Sequence, residues 1–129
     1  MSDIDTRIDS IVSILEESKE RIKEIDGLLL VTRDGLPIAS TTLADTTDED
    51  RMSAMAAAAL NLAERVVEEL VKGELKEMVI KGTEGLIIVI QVGDEAVLTA
   101  TTSSDAKLGL ILLELKRSAK TVVDLLRAP

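Results

Sequence analysis

Two apolar runs in this chain, Leu28-Leu29-Leu30-Val31 and Leu86-Ile87-Ile88-Val89-Ile90, show none of the alternation that a sheet with one wet face requires. Read as strands, they must be covered on both faces. The linkers around the second run are short. Thr83-Glu84, bracketed by Gly82 and Gly85, joins EMVIKG to GLIIVIQV, and Gly93-Asp94 joins that run to EAVLTATT. Connections of this length cannot carry a crossover, so these strands are antiparallel neighbours. An antiparallel sheet covered on both faces needs helices on each side of it.

Three helical patterns meet that need. Ile4, Ile8, Ile11, Leu15, Ile22 and Ile25 recur at steps of three and four, with Ser18 in the missing place, and predict a helix over about residues 3–24. Gly27 interrupts it. LLLVTRDGLPIAS then reads as a hairpin turning at Arg33-Asp34-Gly35-Leu36, with Pro37 opening an edge strand. After the polar connection from Leu43, Thr46 or Thr47 caps a second helix above Asp48-Glu49-Asp50, and Gly73 stops it after Lys72. Its expected core face is Met52, Met55, Ala56, Ala59, Leu60, Ala63, Val66, Val67 and Leu70. Ser103-Ser104-Asp105 is expected to cap the last helix, where Leu108, Leu112, Leu115, Ala119, Val122 and Leu126 share a face. Gly109 costs about 1 kcal/mol inside that helix, and close approach to the sheet is the expected reason. The expected fold is an α/β (α+β) three-layer α/β/α sandwich with the order α-β-β-α-β-β-β-α.

At 129 residues the chain is expected to form a single domain over residues 1–129. The formal charge of −9 argues against nucleic acid and anionic membranes as partners and favours a basic protein surface. The sequence has no Cys and no His, which removes disulfides, thiolate and imidazole metal sites, and the catalytic dyads built on them. No cofactor is expected. The Gly82-Thr83-Glu84-Gly85 loop lacks the Lys-Ser/Thr and the following helix of a phosphate loop. MSDIDTRIDS has no apolar signal segment and no apolar run is long enough to span a bilayer, so the expected location is cytoplasmic. One Asn, one Gln and abundant Glu, Lys and Arg match heat-adapted composition.

GLLLVTRDGLPIAS, GLIIVIQVGDEAVLTATT and DAKLGLILLELKRSAKTVVDLL, in that order, resemble the roadblock/dynein light-chain family in its prokaryotic single-domain form, from about Ile8 to Leu126. The resemblance implies an α/β/α sandwich with strand order 2-1-5-4-3. It implies homodimers made by pairing the third strand and packing the second helices side by side. It also implies a scaffolding or regulatory role toward small Ras-like GTPases and motor complexes, without catalysis.

By this resemblance Glu77, Met78, Val79, Ile80 and Lys81 pair with their copies. An uncovered edge bearing Met78, Val79 and Ile80 would in any case be an aggregation risk. SAMAAAALNLAER makes the second helix apolar over more of its circumference than one sheet contact needs, so Ala54, Met55, Ala57, Ala58 and Leu62 are expected at the dimer interface. Helix propensity alone is the simpler explanation of the alanines. The resemblance places Asn61, Arg65, Glu68, Glu69 and Lys72 near a partner-binding surface. They also fit ordinary i,i+4 surface pairs such as Asn61-Arg65 and Glu68-Lys72.

Glu16-Glu17, Asp48-Glu49-Asp50 and Glu68-Glu69 fall on expected solvated faces or at a helix start, which suits solvation or capping better than general acid–base catalysis. Arg33, Arg51 and Arg65 are the candidates for an arginine supplied to a GTPase, and no context marks one of them. The alternative function is a small-molecule sensor of the profilin-like or sensory-domain kind. The lack of aromatic, His and Cys residues to line a pocket weighs against it.

Overall fold

The structure is a computed structural model that describes residues 3–41 and 46–127, with the side chains of residues 46–48 outside the description. The expected cap at Thr46 or Thr47, and Leu43 of the polar connection, therefore lie outside the described residues. The elements run α1 (Asp3–Arg21), β1 (Ile25–Thr32), β2 (Pro37–Ser40), α2 (Thr46–Glu69), β3 (Glu77–Gly82), β4 (Gly85–Val92), β5 (Ala96–Thr102) and α3 (Leu108–Arg127). The five strands form one sheet in the order β2-β1-β5-β4-β3, with every neighbouring pair antiparallel. This is the expected α/β/α sandwich and strand order.

The unbroken apolar runs do cover two faces. Leu28, Leu30, Ile88, Ile90 and Leu98 point to one side, where they bury Ile11 and Leu15 of α1 with Ile111, Leu115 and Val122 of α3. Leu29, Val31, Val89 and Val97 point to the other, beneath Leu60 of α2 with Met52, Leu75 and Met78 at the margin. Each such aliphatic side chain, taken out of water, contributes about 1.5–3 kcal/mol. One face therefore carries two helices and the other carries one.

Local chemistry moves some boundaries. α1 stops at Arg21 because the chain turns through Ile22 N–H to Ser18 O (3.1 Å) and Ile25 N–H to Ile22 O (3.1 Å). Ile25, expected on the helical stripe, opens β1, and Gly27 lies inside that strand at a register shift against β5 instead of ending the helix. α2 ends earlier than expected as well. Lys72 N–H reaches Val67 O (3.0 Å), Val71 N–H reaches Glu68 O (3.1 Å), and Val71 takes φ 54°, so the left-handed residue closing the helix is Val71, with Gly73 (φ 88°) two residues beyond. α3 starts at Leu108, so Ser103-Ser104-Asp105 forms a preceding turn, with Ser103 Oγ donating to Asp105 Oδ1 (2.5 Å), and does not cap the helix. Gly109 meets no atom within 4 Å at its missing side chain, so sheet approach is not its reason.

Candidate functional site

The β1–β2 turn is built by Thr32 N–H to Leu36 O (2.8 Å) and Gly35 N–H to Thr32 O (3.0 Å), with Gly35 at φ 95°. It tucks under α2. A Cβ on Gly35 would stand 3.2 Å from Ala54 Cα and 3.7 Å from Ala57 Cβ. Arg33 of the same turn bonds Glu64 of α2, both half-buried, and its backbone N–H donates to Glu95 O (3.0 Å). α2 is thereby held over β1, β2 and β5.

That placement decides which part of α2 remains open. Met55 is 62% exposed and Leu62 is 63% exposed, and Val66 and Leu70 are exposed with them. At 3.6 residues per turn these four lie within about 80° of one another, so they make one stripe. On the same sheet face Ile80 of β3 and Ile87 of β4, which pair with each other, are 43% and 40% exposed. An apolar stripe on α2 and an apolar strip of open sheet thus face solvent, and among the described residues no strand lies on the outer side of β3.

The expected interface residues separate here. Met55 and Leu62 stand on the stripe, and Ala54 and Ala58 are exposed beside it. Ala57 differs: it is 4% exposed and faces the Gly35 turn, so it is already covered within the chain. Glu77, Met78 and Val79 are half-buried along β3, while Ile80 and Lys81 are exposed. Met55, Val66 and Leu70 were expected in the core, yet they are open because α2 turns its opposite side, Ser53, Ala56 and Leu60, to the sheet. Val66 and Leu70 are the residues that sequence reasoning missed. Their signal was the excessive width of the expected core face.

Asn61, Arg65, Glu68, Glu69 and Lys72 are all exposed. Ala54, Ala58, Asn61, Arg65 and Glu68 follow steps of four and three along one line, adjacent to the apolar stripe. The pairs that form are Arg65–Glu69 (3.4 Å) and Arg33–Glu64, which differ from the expected Asn61-Arg65 and Glu68-Lys72. Of the candidate arginines, Arg33 is committed to Glu64 and Arg65 to Glu69, while Arg51 is exposed on α2.

A buried carboxylate also escaped the sequence. Glu114 of α3 accepts bonds from Ser18 Oγ (2.8 Å), Arg21 (3.3 Å) and Arg117 (2.5 Å), and Ser18 and Ser118 bond each other beside it. Its acceptor positions are occupied, and it joins α1 to α3. A cleft of about 680 Å³, open to solvent, lies where the β1–β2 and β4–β5 turns meet the end of α3, with Arg33, Asp34, Asp94, Glu95 and Arg127 along it.

These features define a class: a three-layer α/β/α sandwich whose sheet is half-covered on one face. The chain belongs to the Roadblock/LC7 domain family, whose model matches residues 12–102. It is 37% identical over 98 residues to the protein MJ1340 of Methanocaldococcus jannaschii, covering 76% of this chain and 84% of that one. The fold matches the Roadblock/LC7 domain from Streptomyces avermitilis with a TM-score of 0.86 at 19% identity, covering 91% of this chain and 98% of that one. It matches the gliding protein MglB from Thermus thermophilus at 0.81 and 20% identity, covering 92% and 90%. LokiProfilin2, in its complex with rabbit actin, shares the fold more distantly, with a TM-score of 0.57 at 14% identity, covering 90% and 97%.

Proposed function

We propose that this protein is a non-enzymatic, cytoplasmic homodimeric module that binds a small Ras-like GTPase and modulates its nucleotide cycle or localisation. The observation that carries this reading is the stripe of Met55, Leu62, Val66 and Leu70 beside the open Ile80–Ile87 strip. Apolar surface of this extent is kept in water at a cost unless another surface covers it. A second copy supplies that cover, since a two-fold contact sets the same stripe and the same strip against each other. The other sheet edge does not suit the task, because β2 has four residues and begins with Pro37.

The GTPase follows from what membership of the roadblock family implies. On this reading Asn61, Arg65, Glu68, Glu69 and Lys72 face the partner, while Ala54 and Ala58 border the contact between the two copies. The net charge of −9 favours a basic patch on it. No helix among the described residues is long and apolar enough to cross a membrane. The test is binding of the purified protein to each Ras-like GTPase of its source organism in the GDP and GTP states. The expected result is binding to at least one of them with altered GTP turnover or nucleotide preference. Neither binding nor altered turnover with any of them contradicts the assignment.

A further inference from the structure

The cleft at the turn end of the sheet has no part in the function proposed above. The β1–β2 turn, the β4–β5 turn and the last turn of α3 wall it, and its volume of about 680 Å³ is that of a site for small organic ligands. Its walls are fixed in advance. Arg33 N–H donates to Glu95 O (3.0 Å) and ties the two turns together, and Gln91 Nε2 donates to Gly93 O (2.9 Å) within the second. A ligand entering between them does not have to order them. Ile38 of β2 with Val123 and Leu126 of α3 give the cleft an aliphatic lining. The two turns add the exposed carboxylates of Asp34, Asp94 and Glu95, and α3 adds Arg127, whose Nη2 lies 3.8 Å from where a side chain on Gly93 would begin. None of these four charges takes part in the ion pairs among the described residues, whereas the Arg33 guanidinium is held by Glu64.

We propose that this cleft binds a small zwitterion with an aliphatic body, a free α-amino acid or a short peptide. Its carboxylate goes to Arg127, its ammonium to the carboxylates of the two turns, and its hydrocarbon to Ile38, Val123 and Leu126. The charges decide between ligand classes. An anion that reaches Arg127 also meets three carboxylates of its own sign, in a chain of net charge −9. A simple cation suits the carboxylates but sets itself against Arg127, and an uncharged aliphatic molecule leaves all four charges unanswered. Only a ligand with both signs on an apolar body answers the whole lining. The inference is independent of the homodimer and of the GTPase, and stands or falls without them.

Amide NMR titration of the full chain tests it with leucine and leucyl-leucine as the two zwitterions, leucinamide as the ligand without a carboxylate, and N-acetylleucine as the ligand without an ammonium. At least one zwitterion is expected to shift the amides of the two turns and of Val123, with a dissociation constant of about 1 mM or tighter. Leucine bound alone makes the site one for a free amino acid, and tighter binding of the dipeptide makes it one for short peptides. Leucinamide and N-acetylleucine bind about tenfold more weakly or worse. Arg127→Gln removes the preference for leucine over leucinamide, and Asp34→Asn, Asp94→Asn and Glu95→Gln together remove the preference over N-acetylleucine. All four side chains are exposed, so the variants keep the fold. No shift with either zwitterion at about 10 mM overturns the proposal. So do leucinamide or N-acetylleucine binding as tightly as leucine, shifts confined to α2, and preferences that survive the substitutions.

Discussion

Gly35 lies against Ala57: a side chain added at the glycine would meet Ala54 Cα at 3.2 Å and Ala57 Cβ at 3.7 Å, while Ala57 itself is almost fully buried. The small residue on α2 and the glycine of the β1–β2 turn are two halves of one close contact. Ala57→Leu therefore overpacks that contact and lowers unfolding stability by about 1–3 kcal/mol. Glu16→Ala, exposed on α1, leaves it within about 0.5 kcal/mol. Urea unfolding of the two variants at equal protein concentration separates them.

Glu114 offers a second test. It sits between α1 and α3 with Ser18, Arg21 and Arg117 bonded to it, so its removal leaves the buried Ser18 hydroxyl with Ser118 alone and releases two half-exposed arginines. Glu114→Ala is expected to cost about 1–3 kcal/mol, mostly as a loss of α1 docking. Amide hydrogen exchange should show α1 losing protection before the sheet does. Equal loss throughout the chain would argue against a local latch.

Val71 closes α2 in a left-handed conformation that suits glycine and penalises a β-branched side chain. It is 85% exposed, so it buries little in exchange. Val71→Gly is expected to raise stability by about 1 kcal/mol, read as a higher thermal midpoint. A lower midpoint would mean that the valine side chain makes a contact in the assembled protein.

Asp105 carries the pH prediction. The Ser103 hydroxyl, and after it the residue's own backbone N–H, hold its carboxyl below the usual carboxylate range. A carboxyl depressed in the folded state contributes stability above its unfolded value and loses it as pH falls through the lowered folded value. Carbon-detected NMR titration should place the Asp105 midpoint below that of a free aspartate side chain, and Ser103→Ala should move it upward.

Both-face burial and the antiparallel pairing of β3, β4 and β5 were legible because LLLV and LIIVI lack alternation and the linkers are too short for crossovers, whereas the full strand order came from the resemblance to the roadblock family. The orientation of α2 was not. Helical periodicity ranks residues around the axis, but which third of the circumference meets the sheet depends on where the helix crosses it. Here the Gly35 turn and the Arg33–Glu64 bond draw Ala57 inward, and Val66 and Leu70 are left outside. Glu114 was equally hidden. A carboxylate on a helix reads as solvated until α1 places Ser18 and Arg21 opposite it. Val71 lay beyond any sequence rule that assigns helix ends to the nearest glycine.

A second copy of the chain is expected to cover the stripe of Met55, Leu62, Val66 and Leu70. Multi-angle light scattering at micromolar concentration measures it directly, with Ala58→Glu beside the wild type. The expected wild-type mass is twice 13.9 kDa, with a shift toward 13.9 kDa for Ala58→Glu, which places an unpaired charge in the contact. A wild-type mass of 13.9 kDa would contradict it.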